Sequence, residues 1–166
     1  WKDFQARVNN ELVAILGNFV NRVMVLSHKY FDGKVLMGSA FNDTDNAVFD
    51  ELAKYPALIE KSIADYRFRE ALTHFMSAAR LGNKYLADEE PWKVIKTDDE
   101  RVKTVLNVAT QIVANLAILA QPFLPKTSDK LFEMLNLPKQ GWDKAGKNAI
   151  IATDAQLGEV QMLFEK

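Results

Sequence analysis

The chain has 166 residues, 48% of them hydrophobic, with 21 basic side chains against 22 acidic ones and no cysteine. That length fits one domain with a sizeable core, the missing thiols exclude disulfides, thiolate zinc sites and a cysteine nucleophile, and the balanced charge excludes a whole-molecule field that would hold a polyanion regardless of its sequence. No uninterrupted apolar run approaches the roughly 20 residues that cross a bilayer, so no membrane partner is expected and the cytoplasm is the default compartment.

The chain opens on Trp1 rather than Met and runs directly into helical periodicity, as an excised piece of a longer protein would. Phe4, Val8, Leu12, Ile15, Phe19, Val23, Leu26 and Tyr30 recur in steps of three and four, which predicts one long amphipathic helix ended by Asp32-Gly33. Residues 34–42 read as irregular, and Asp43-Thr44-Asp45 offers capping oxygens to a second helix. Tyr55-Pro56 predicts a kink or restart there, with helix on to about Asp65. Phe68, Leu72, Phe75, Ala79, Gly82 and Leu86 mark a third helix, interrupted by Pro91-Trp92. Thr97 and Glu100 have capping-box spacing ahead of a fourth helix, whose stripe from Val102 to Ala120 is flanked by further apolar positions and reads as the most buried. Pro122 and Pro125 end it, and Thr127 or Ser128 can cap a fifth helix through Leu135. Beyond Pro138 the signal weakens. Gly141-Trp142 and Gly146 read as loop, residues 149–151 and 160–164 as extended or short helical pieces, and Trp1 and Trp142 as edge packing. With no βαβ alternation and no repeat, the expected fold is all-α, a single antiparallel helix bundle over about residues 3–137 with an irregular tail over 138–166.

Catalysis needs convergent reactive groups, and few are present. His28 falls opposite the first apolar stripe, which makes it a surface residue; His74 adjoins Phe75. Neither has a partner advertised by spacing, the paired Glu-x-x-His pattern of a di-iron bundle is absent, and no phosphate loop, nucleophile elbow or deaminase signature occurs. No metal, cofactor or catalytic residue is therefore expected, and the chain alone is not expected to be an enzyme.

Three residues suit binding. Asn18 and Arg22 are four apart on the flank of the first stripe, where a side chain lines a groove between helices with its head free. Asparagine offers a donor and an acceptor and arginine a planar fork, the equipment for reading the edge of an unstacked base; an interhelical hydrogen bond and a snorkelling arginine would use the same positions. Trp92, fixed by Pro91 at a break between helices, suits a stacking platform or equally a plug closing one end of the bundle. Asp88, Glu89 and Glu90 beside it repel phosphate, which favours one defined base orientation over a general nucleic-acid surface.

Residues 11–22, ELVAILGNFVNR, and 81–92, LGNKYLADEEPW, resemble segments of the methionyl-tRNA synthetases, a family with an ELxxxLGNxxNR helix and an Asn-x-Tyr followed seven residues later by the Trp of a Pro-Trp pair. Residues 119–131, LAQPFLPKTSDKL, are similar to that family's Pro-x-Leu-Pro turn, and order and spacing match over about residues 3–137. The resemblance implies a helix bundle of the class I synthetase anticodon-binding type. It places Asn18, Arg22 and Trp92 where the family contacts the anticodon, the polar pair reading bases and the indole stacking on the first anticodon base, cytosine. The implied partners are a methionine-accepting tRNA, read through its CAU anticodon, and the catalytic domain of the full-length ligase. That domain's HIGH and KMSKS motifs and zinc knuckle are not in this chain, so no methionine activation is expected of it. Competing expectations are the equivalent domain of another class I synthetase, or a helical protein-interaction module with an exposed apolar patch at Trp92; the tRNA reading instead expects a polar groove with one exposed aromatic.

Overall fold

The structure is a computed structural model and describes residues 2–163. Trp1 and Phe164, two of the residues read above, lie outside them. Helix α1 spans Lys2–Glu11 and continues through a π-helical hexad, Leu12–Gly17, into α2, Asn18–Phe31, so the long first helix is one rod with a wider turn inside it. Asp32 and Gly33, both left-handed at φ 55° and 78°, end it. A Cβ on Gly33 would meet the His28 ring at 2.6 Å, so this stop requires glycine for space as well as for conformation.

Helices α3 (Asp43–Leu52) and α4 (Tyr55–Ala64) follow, with Pro56 in the first turn of α4 as its fixed φ favours. The long α5 runs from Phe68 to Glu89, a four-residue turn α6 covers Pro91–Val94, and α7 (Asp99–Leu119) and α8 (Pro125–Met134) complete the bundle. Three caps differ from the reading above. Asn42, not the acidic run after it, caps α3, in a reciprocal box with Asp45. Asp98 caps α7, accepting from the Arg101 amide, while Thr97 bonds back to Val94. Neither Thr127 nor Ser128 caps α8, which starts on Pro125; Ser128 instead donates to the Ala117 carbonyl and ties α8 to α7.

Helices α4 and α5, α5 and α7, and α7 and α8 pack as neighbours, joined near their connecting ends by the Ser62–Glu70, Arg101–Glu89 and Ser128–Ala117 contacts. The α1–α2 rod and α5 then run in the same direction side by side, in step from Glu11–Arg80 through Ile15–Asn83 to Arg22–Trp92. A Cβ on Gly82 would meet the Phe19 ring at 2.6 Å, so the two helices approach this closely only because position 82 lacks one.

Helix α7 is the axis of the core. It is long and apolar enough to cross a membrane by length and composition, and 94% of its most apolar stretch is buried inside the bundle. Its buried amide side chains, Asn107, Gln111 and Asn115, stand four apart on one face and hold the chain's irregular parts. Asn107 donates to the Leu36 carbonyl, Gln111 accepts from the amides of Ile150 and Ile151 and donates to the Ile151 carbonyl, and Asn115 accepts from Gly146 and donates to Lys147. The tail after Pro138 is thus packed coil with a short 3-10 turn at Trp142–Lys144, and it buries Ile151, Leu157 and Leu163. Trp142 is half-buried against the core, as edge packing. An isolated antiparallel bridge joins Lys34 to Gln156. His28, read as a free surface residue, donates through Nε2 to the Gly158 carbonyl at 2.7 Å: the returning tail covers it.

Candidate nucleic-acid interface

The rod presents Arg22 from α2 toward the turn that follows α5. At that turn Glu90 is left-handed, at φ 48°, which ends α5 and redirects the backbone so that buried Pro91 opens α6 with Trp92 beside it. Trp92 is half-buried against the core, and the Arg22 guanidinium carbon lies 5.7 Å from its ring centroid, within cation–π range. Asn21, Arg22, Val25, Leu26 and Trp92 line an open groove of about 250 Å³. Arg22 has no carboxylate partner among the described residues, so its fork is free to engage a ligand.

Arg22 and Trp92 therefore meet, across 70 positions of sequence. Asn18 lies one turn back along α2, exposed, with its amide donating to the Ala14 carbonyl at 2.8 Å. It does not line the groove, and its Oδ1 has no hydrogen-bond partner among the described residues. Asn21, not singled out above although it lies inside the quoted LGNFVNR, does line it. The groove is also less polar than expected: Trp92 is half-buried rather than exposed, and Val25 and Leu26 add apolar wall.

The acids beside Trp92 are not a bare repelling cluster. Asp88 pairs with Lys84 at 2.6 Å, Glu90 with Lys93 at 2.9 Å, and Glu89 with Arg101 at 2.9 Å. Arg101 anchors a buried network: it grips the fully buried Asp45 with two bonds of 2.7 and 2.9 Å, while the Tyr85 hydroxyl donates to Asp45 at 2.5 Å and the Asn42 amide at 3.1 Å. Burial works against ionising Asp45, but Arg101, Tyr85 and the Asn42 amide outweigh it and hold the carboxyl below its ordinary range. Burial, and then the charge of Asp45, push the Tyr85 hydroxyl up. The hydrogen bond to Asp45 raises Arg101. Spacing gives no signal of this network, since Asp45 and Arg101 are 56 positions apart.

The fold and the arrangement at this end of it define an all-α helix bundle of the class I synthetase anticodon-binding type. The family model described as "Anticodon binding domain of methionyl tRNA ligase" matches residues 35–166, and the chain belongs to that family. Along its whole length it is 54% identical to the methionine–tRNA ligases of Phocaeicola vulgatus and Cytophaga hutchinsonii, and it spans about a quarter (24%) of the length of each. The structure of Mycobacterium tuberculosis methionyl-tRNA synthetase in complex with methionyl-adenylate superposes with a TM-score of 0.87 at 23% identity, over 99% of this chain and 33% of that one, a likeness of fold.

Proposed function

We propose that the Arg22–Trp92 groove takes the first anticodon base, cytosine, of a methionine-accepting tRNA. In this reading the indole stacks on the base, the Arg22 fork donates to its edge, and Asn18 positions or reads a neighbouring base through its Oδ1. The observation that carries the reading is the pairing of an unneutralised arginine with a proline-fixed tryptophan across an open groove, in a chain of this family. Single-stranded loops are recognised by this combination of aromatic stacking and hydrogen bonding to base edges. The full-length protein is then a cytoplasmic methionine–tRNA ligase in which this domain selects the tRNA and a separate catalytic domain performs the chemistry.

The test measures melting temperature and binding of Arg22→Ala and Trp92→Ala against tRNA transcripts with cytosine or another base at the first anticodon position. Each variant should lose about 1 to 3 kcal/mol of binding to the cytosine tRNA and most of its preference for it. Variants that melt normally and prefer cytosine as strongly as the parent would show that other residues do the reading.

A further inference from the structure

The chain carries 22 acidic side chains in 166 residues, yet residues 4–31, nearly the whole α1–α2 rod, contain one, Glu11. Glu11 is not free: Arg80 of α5 pairs with it at 3.0 Å. Among the described residues, the polar side chains on the exposed face of the rod after Asp3 are Arg7, Asn10, Asn18, Asn21, Arg22 and Lys29, cations and amides, interspersed with Ala6, Ala14 and Val25. Asp3, in the first turn, is the acid that ordinary helix electrostatics favours there, and beyond it Glu11 is the one acid before Asp32. Other segments are richer in acids: residues 43–65 carry Asp43, Asp45, Asp50, Glu51, Glu60 and Asp65, and Asp88, Glu89 and Glu90 precede Trp92.

At the end of the seam far from Trp92, α1 and α5 enclose a second groove of about 230 Å³ whose polar lining is Arg7, Arg69, Thr73 and the paired Glu11 and Arg80, beside the Phe4 ring. The Arg7 and Arg69 guanidinium carbons lie 5.9 and 4.7 Å from the Phe4 ring centroid. Neither has an acidic partner among the described residues. Two guanidiniums held beside one ring, with their forks unspent, fit phosphate oxygens. Because the rod and α5 run in the same direction, this pair and the Arg22–Trp92 pair mark opposite ends of one seam, about 30 Å apart at 1.5 Å of helix rise per residue.

We propose that the carboxylate-poor outer face of the rod is the track for the sugar-phosphate backbone of the RNA whose base occupies the Arg22–Trp92 groove, with Arg7 and Arg69 as its distal phosphate clamp. The proposal rests on the base-reading assignment above and extends it from one nucleotide to the length of the domain. Phosphate contacts set register and affinity without reading sequence, so the two ends of the seam have separable signatures.

The experiment measures binding as a function of salt for the parent, Arg7→Gln/Arg69→Gln and Arg7→Lys/Arg69→Lys. The probes are a full tRNA transcript with a CAU anticodon, the same transcript with its first anticodon base changed, and a short anticodon hairpin. The glutamine pair should reduce the slope of log affinity against log salt by about two, so that between 50 and 200 mM the parent loses about tenfold more affinity than the variant. It should bind both full transcripts more weakly by the same factor, leave the hairpin within twofold of the parent, and melt as the parent does. The lysine pair, which keeps the charge, should keep the salt slope. An unchanged slope for the glutamine pair overturns the track, and so does a loss of cytosine preference in that pair, which would make the clamp a support of the fold. An unchanged slope with a catalytic domain that no longer associates assigns the patch to a protein contact and overturns it too. If the parent shows no cytosine preference while the glutamine pair still flattens the salt dependence, the base-reading assignment fails and the track stands.

Discussion

The side-chain amide of Asn83 donates to the Ile15 carbonyl at 2.8 Å, inside the π-helical hexad that ends just before Asn18. A π-turn disturbs the regular ladder and leaves carbonyls in need of partners, and α5 supplies one here. The 81–92 segment thus divides its labour, Gly82, Asn83 and Tyr85 joining helices while Trp92 faces the groove. The Asn18 backbone N–H also donates to the Ile15 carbonyl, so Asn83→Leu removes one of its two bonds and should destabilise the domain by about 0.5 to 1.5 kcal/mol. Chemical denaturation checks this, and a midpoint equal to the parent's would mean the bond contributes nothing.

Asp45→Ala should be far more costly. It leaves the buried Tyr85 hydroxyl without its acceptor and Arg101 with Glu89 alone, so the cost should approach the roughly 3 to 5 kcal/mol of breaking a buried ion pair. The pH dependence has a definite sign. A carboxyl held below its unfolded value stabilises above that value, 3.8, and the contribution disappears as pH falls through the lower folded value. The gap in melting temperature between parent and variant should therefore be constant near neutrality and narrow below about pH 4.

Gln111→Leu is expected to release the tail rather than unfold the bundle. The leucine fills similar space but leaves the amides of Ile150 and Ile151 unsatisfied. Hydrogen exchange should rise over residues 146–158 and stay near the parent's in α5 and α7.

Two conservative changes separate the roles in the reading pair. Trp92→Phe should retain part of the affinity that Trp92→Ala loses, because a smaller ring still stacks. Arg22→Lys keeps the charge but not the planar fork, so it should preserve the salt dependence of binding while losing preference for cytosine. Titrations against the cytosine and non-cytosine transcripts at two salt concentrations read both quantities.

The long elements were legible because apolar residues recur at helical spacing and because Pro56, Pro91 and Pro125 allow few alternatives. Cap positions were displaced because capping oxygens crowd each boundary, and tertiary geometry chose Asn42 over its acidic neighbours. The π-turn left no trace, since the apolar stripe is broad enough to absorb one extra residue. The tail was illegible in its own residues: its order comes from Asn107, Gln111 and Asn115, whose four-residue spacing in an otherwise apolar helix was the available clue. At the groove, Arg22 and Trp92 were singled out by their chemistry together with the resemblance of residues 11–22 and 81–92, while their meeting across 70 positions was not legible in spacing. Nor was the pairing of Glu89 with Arg101, because α7 delivers that cation from across the bundle.

The hexad Leu12–Gly17 also acts as an indexing device. Each residue of an α-helix advances the chain by about 100° around the axis, and a π-turn holds roughly one residue more than an α-turn. Converting the segment to α-helix with all of its residues retained would swing Asn18 and Arg22 through about that angle relative to α1. Arg22 would then point away from Trp92, although no residue of the groove had been altered. The orientation of Arg22 is thus encoded by a residue count five to ten positions upstream, in a segment that does not line the groove.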